Sequence, residues 1–212
     1  MKSNKKDMVI ISIFLGSLWG ILEATLGYFF HVVSQFTLPG IAGFFMFPLG
    51  FYIMRIAFRE TSRLESILYT ASVAALVKLA DLFIPLLPPQ NTVNPAISIM
   101  LEAMAVLIFW RIYNPISKRF PLFEGIVLSI SWRAFFIIYL ILIPFSFGIV
   151  ERGLMSIMRF LFLDGVINGF LVALILHFEK EKVGRILVRI PTTKPVISLL
   201  LFLLAVTLEV VI

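Results

Sequence analysis

Seven long apolar stretches run through this chain, at about residues 8–30, 41–58, 66–87, 95–113, 122–147, 157–179 and 195–212. Of its 212 residues 60% are hydrophobic and 14% charged, whereas a soluble domain carries roughly 25% charged residues. So few polar groups do not cover the surface of a soluble protein of this size. In lipid, only helices and closed barrels satisfy their own backbone hydrogen bonds. Barrel strands alternate over ~10 residues, but these runs are continuous and about twice that long, the ~20 residues of a spanning helix. The expected class is an all-α integral membrane protein: a six-helix transmembrane bundle plus a seventh C-terminal transmembrane helix. Cysteine is absent, which excludes disulfides and thiolate metal sites.

The distribution of Lys and Arg predicts an orientation. Lys2, Lys5, Lys6, Arg55, Arg59, Arg63, Arg111, Lys118, Arg119, Lys180, Lys182, Arg185, Arg189 and Lys194 all fall on one side of this threading. Arg152 and Arg159 fall on the other. Fourteen against two places the N-terminus in the cytoplasm and the C-terminus outside, in a cell membrane, by the positive-inside rule. The same rule accounts for the net charge of +6 without nucleic acid as a partner. The first run is too long for a signal-peptide core and has no Ala-x-Ala site, so it is expected to be retained. Three regions follow: a membrane core over 1–182, a basic cytoplasmic linker over 183–194, and a peripheral helix over 195–212.

Charges inside apolar runs are rare because they are costly, and they usually face a bundle interior or a wet cavity. Here Glu23, Lys78, Asp81, Glu102, Arg133 and Asp164 lie inside five of the seven runs. At ~1.5 Å per residue they come to similar depths, about 16–22 Å from the cytoplasmic edge. Asn168 falls four residues beyond Asp164, on the same helix face. These seven residues are the candidate substrate-binding set. Four acids against two bases leave a surplus that calls for a proton, or for a cationic or zwitterionic ligand. Structural pairing between helices is the alternative. Segments 31–40, with His31, and 88–95, rich in Asn, Gln and Pro, are expected as outer loops.

Ser12, Gly16, Gly20 and Ala24 repeat every four residues on the first helix, a small-residue ridge that lets helix backbones approach closely. Its partner is either a helix of this chain or a docked subunit. Phosphate loops, zinc motifs and nucleophile elbows are absent, and no cofactor is expected.

A chain of this length, with six core helices, a cytoplasmic N-terminus and that ridge, resembles the substrate-binding S component of energy-coupling-factor transporters. The resemblance implies capture of a vitamin-class small molecule near the outer face. It also implies docking through Ser12, Gly16, Gly20 and Ala24 on a transmembrane coupling subunit driven by separate ATPases. In that family the docking motif is usually Ala-x-x-x-Ala; here it reads Ser/Gly/Gly/Ala. The alternatives are an intramembrane enzyme acting on a lipid or prenyl substrate, and a proton- or ion-coupled secondary transporter. Single acids on separate helices count against the first, and the lack of an internal repeat against the second.

Overall fold

The computed structural model describes residues 3–27, 29–30, 33, 41–84, 88–113, 120–143, 149–178 and 194–211. Among these the chain is helical, with no strand. We label the long helices α1 (Lys5–Gly27), α2 (Ile41–Thr61), α3 (Glu65–Phe83), α4 (Pro89–Ile112), α5 (Pro121–Leu142), α6 (Leu154–His177) and α7 (Pro195–Val211). Five of them, α1, α3, α4, α5 and α6, are long and apolar enough to cross a membrane. Of the other two, α7 is an apolar helix of 17 residues, and α2 carries Arg55, Arg59 and Glu60 in its last two turns. Side chains such as Leu76, Ile108, Ile138 and Leu203 are exposed, while Arg133, Glu102 and Asp81 are buried. This inverts the pattern of a soluble protein and is compatible with a multi-pass membrane protein.

Local sequence explains the helix starts. Asn4 caps α1, its Oδ1 accepting from the backbone N–H of Lys6 at 2.6 Å and of Asp7 at 3.2 Å. Pro89 and Pro121 stand in the first turns of α4 and α5, where a missing N–H has no intrahelical partner to lose. This corrects one expectation. Residues 89–94 are not a loop but the first turns of α4, begun at Pro89. Residues 31–32 and 34–40, including His31, lie outside the described residues, as does most of the linker 183–194.

Glycine contacts define the directions of packing. A Cβ on Gly16 would sit 2.5 Å from the Thr70 carbonyl oxygen and 2.6 Å from Val73 Cβ; one on Gly20 would sit 2.7 Å from Val77 Cγ1. Both series ascend, so α1 and α3 run parallel. On the other side of the bundle, Gly125 abuts the Gly169 carbonyl and Gly165 abuts Ile130, so α5 and α6 run antiparallel. The seventh helix lies along α1: Ser198 Oγ donates to the Ile10 carbonyl at 3.1 Å. One end of the bundle is marked by Ser3, whose N–H donates to the Thr61 carbonyl, and by Trp110 Nε1, which donates to Glu124 Oε1 at 2.7 Å. The opposite end holds the Tyr139 hydroxyl, donating to Asn94 Oδ1 at 2.9 Å.

Replacing Gly20 with Leu forces a branched side chain into Val77 and separates α1 from α3. Overpacking of this kind costs ~1–3 kcal/mol, occasionally more. A Cβ on Gly43 meets nothing within 4 Å, so Gly43→Ala is the matched control. In thermal denaturation of the purified protein, Gly20→Leu is expected to lower Tm markedly and Gly43→Ala to leave it unchanged.

Candidate functional site

The small-residue ridge is used inside the chain. Ser12, Gly16, Gly20 and Ala24 are all buried, and Gly16 and Gly20 are closed by Thr70, Val73 and Val77 of α3. Within the chain, α3 occupies the space toward which a side chain on either glycine would point.

Three acids of the candidate set coincide with departures from regular α-helix. Glu23 opens a π turn over Glu23–Gly27 that widens the end of α1. Asp81 lies in a 3-10 turn over Leu79–Phe83. Asp164 follows a π turn over Arg159–Leu163. Such irregular turns re-aim side chains and recur at functional sites.

Lys78 is the best-paired charge. Its Nζ donates to Asp81 Oδ2 at 2.7 Å and to Glu209 Oε1 at 2.5 Å. Asp81 and Glu209 are 6% and 5% exposed, so the triad is almost dry. Glu209 belongs to α7 and stands outside the candidate set read from the sequence. A signal for it is present all the same: fourteen residues into the seventh run, it reaches a depth of about 21 Å, level with Asp81.

The remaining charges form a second group with weaker local partners. Glu23 accepts from Trp19 Nε1 at 3.2 Å, and Glu102 Oε1 from Ser98 Oγ at 3.4 Å. Arg133 is 1% exposed, donates Nη1 to the Ser129 carbonyl at 3.0 Å, and lies over the rings of Trp132 and Phe160 at 4.4 and 5.3 Å. Cation–π contacts of this kind gain strength where water is excluded. Arg159 Nε approaches Asp164 Oδ1 at 4.0 Å in a more exposed position. The two groups are linked electrostatically. Asp164 and Glu102 both act on Arg133, Glu23 acts on Glu102, and Lys78 acts on Glu23. Direct ionic contacts among these charges join Lys78 to Asp81 and to Glu209, across α3 and α7, and Arg159 to Asp164 on α6. Among the described residues no group of three or more acids or histidines has the geometry to hold a metal ion.

Asn168 plays a different part. Its Nδ2 donates to the Phe44 carbonyl at 2.6 Å and to the Gly43 carbonyl at 3.4 Å, while Ser129 Oγ approaches its Oδ1 at 3.5 Å. The reason lies four residues beyond Phe44. Pro48, inside α2, has no N–H to give the Phe44 carbonyl. Asn168 supplies that donor from α6, so its amide is committed to the backbone of α2.

Comparison with protein families, with curated proteins and with solved structures gives no match for this chain. The site is therefore read from its own chemistry.

The Pro48–Asn168 relation is testable by a double-mutant cycle. Asn168→Ala leaves a buried carbonyl unsatisfied and is expected to cost about 1–3 kcal/mol. In a Pro48→Ala background the helix regains its own donor, so the same change should cost measurably less. Equal costs in both backgrounds, read from denaturation midpoints, would show that Asn168 stabilises by another route.

Proposed function

We propose that this chain is a substrate-binding membrane protein for uptake of a small polar molecule, held in the bundle interior around Arg133, Glu102, Glu23 and Asp164. It sits in the cell membrane with seven crossings, its N-terminus cytoplasmic and its C-terminus outside, so the site lies in the outer half. The observation that carries this reading is the second charge group. Arg133 and Glu102 are buried, act on each other, and are in ion-pair contact with no described residue. A purely structural role favours close pairing, because each isolated charge at a helix centre costs ~2.5–3.5 kcal/mol on insertion scales. A bound polar molecule supplies the missing partners.

The resemblance to S components supports a vitamin-class substrate and a separate ATPase module. The coupling subunit would have to meet a face other than the ridge, since α3 covers Gly16 and Gly20. A second reading, a proton- or ion-coupled secondary transporter, is favoured by the Lys78 triad, where two buried carboxylates share one ammonium.

Mass spectrometry of the purified protein is expected to find a co-purifying small molecule, and cells expressing the chain to accumulate it. Glu102→Gln and Asp164→Asn should each cut accumulation by ~10-fold or more, corresponding to at least ~1.4 kcal/mol of binding, while membrane insertion persists. Accumulation that survives collapse of ion gradients but not ATP depletion supports the ATPase-driven form; the reverse supports the secondary transporter. Accumulation unchanged in both variants would dismiss the site.

Reporter fusions test the topology independently. Those placed after Lys6 and at Ile212 are expected on opposite sides of the membrane, and finding both on one side would remove the seven-crossing arrangement.

A further inference from the structure

The first turns of α6 are wound so as to hold two contacts at once. The Asp164 N–H donates to the Arg159 carbonyl, five residues back, which makes Arg159–Leu163 a π turn. Such a turn takes in one residue more than α-helix, and so rotates everything before it by about 100°, one residue's share of a turn. That rotation brings Arg159 beneath Asp164, with Nε 4.0 Å from Oδ1. It also brings Phe160 beneath Gly165, on the α5 side, where its ring centroid lies 5.3 Å from the Arg133 guanidinium. In regular α-helix, residues five apart stand about 140° apart, and neither contact would form.

Asp164 has a second basic residue in register with it. On the antiparallel pair α5 and α6, Gly169 meets Ile126, Gly165 meets Ile130, and Ser129 Oγ lies 3.5 Å from Asn168 Oδ1. One turn further along both helices, Arg133 and Asp164 stand in the same relation as Ser129 and Asn168. Arg133 Nη1 donates to the Ser129 carbonyl, while its buried Nε has no acceptor among the described residues. Buried donors nearly always find an acceptor, and the exceptions call for an explanation. The carboxylate facing Arg133 across the helix pair is an acceptor that the chain itself can supply.

Little packing opposes a rotation of the stretch before Asp164. None of residues 154–163 is buried, and Leu154 and Met155 are strongly exposed. The stretch begins after Gly153, whose φ of 84° suits glycine and leaves a pivot without side-chain contacts. The packing at stake is chiefly that of the Phe160 ring on Trp132 and Phe136.

We propose that this π turn is a two-state rotational switch in which Asp164 exchanges Arg159 for Arg133. In the second state the turn closes to α-helix and residues 154–160 rotate by about 100°. Arg159 leaves Asp164, Phe160 withdraws from Arg133, and the Asp164 carboxylate accepts from Arg133 Nε. One state holds a half-exposed ion pair and the aromatic packing; the other holds a buried ion pair and regular winding. Packed interfaces of this kind have discrete alternatives rather than a continuum. The switch needs no bound molecule and holds independently of the uptake reading.

The test uses the full chain in lipid nanodiscs. Because cysteine is absent, Phe83→Cys with Met155→Cys places two spin labels at exposed sites. Rotation by about 100° on a helix ~10–12 Å across moves a surface label by roughly 8 Å, so pulsed EPR is expected to find two distances. Deleting Phe162, an exposed residue of the turn, forces α winding and should leave only the second. Arg159→Gln removes the first state's partner and should raise the second population by ~1.5–5-fold, the range that loss of an exposed ion pair produces. Asp164→Asn removes the stronger, buried pair and should lower it. Arg159→Gln alters a half-exposed side chain and gives its readout even if the deletion variant does not fold. A single distance in both the wild type and Arg159→Gln overturns the switch. So does a second population that Arg159→Gln leaves unchanged, or a deletion variant whose distance matches neither wild-type population.

Discussion

An ammonium held between two carboxylates ties two helices of this bundle together, α3 and α7. Lys78 on α3 reaches Asp81 on its own helix and Glu209 on α7, and Glu23 on α1 lies within its field. None of these charges is stable alone in an apolar interior, and breaking a buried pair leaves its partner uncompensated. The pairing therefore fixes the rotation of α7 as well as its depth. Beside it α1 and α3 pack closely, Gly16 and Gly20 admitting Val73 and Val77. Ser198, bonded to the Ile10 carbonyl near the other end, completes a two-point attachment of α7, one point on α1 and one on α3. A helix that reads as an appendage in the sequence thus supplies a buried charge to the bundle.

The other side of the molecule solves a backbone problem instead. Gly125, Gly165 and Gly169 bring α5 and α6 into backbone contact. Asn168 of α6 also reaches α2, where Pro48 has left the Phe44 carbonyl without its usual donor. Apolar solvent offers no water to satisfy such a carbonyl, so the proline and the asparagine have to be understood together. A kink-prone residue on one helix is tolerated because a second helix supplies the missing donor.

Much of this is legible in the sequence, and the limits have physical causes. Hydropathy locates all seven helices, because continuous apolar runs have no competing reading at these lengths. The start of α4 is hidden since Gln90, Asn91 and Asn94 look like turn residues, while Pro89 makes them a helical first turn. Depth alone groups Glu23, Lys78, Asp81, Glu102, Arg133 and Asp164, because every helix in a bundle shares one axis scale. It also groups Asn168 with them, although that amide serves the backbone of α2. Period and depth say where a side chain lies but not which backbone atom it meets. The ridge on α1 implies a close contact without naming the partner, since small residues specify proximity and nothing about chain identity. Glu209 is left outside the set because it stands near the end of its run, although its depth matches Asp81.

The two charge groups differ in how their charges are partnered. Around Lys78 the ammonium is bonded on two sides at 2.7 and 2.5 Å, and the triad holds helices in register. Around Arg133 the charges act on one another without closing into contact pairs, and two adjacent donors, Arg133 Nε and Trp132 Nε1, have no acceptor among the described residues. Rotamer freedom in Arg and Glu is ample to form a direct pair when nothing opposes it, and a bidentate Arg–carboxylate contact is among the strongest available. Here the guanidinium is instead held against the rings of Trp132 and Phe160, which are themselves packed edge to face at 5.9 Å. The guanidinium's contacts are with these rings and with the Ser129 carbonyl rather than with a carboxylate, and that is what sets this group apart from the closed Lys78 triad.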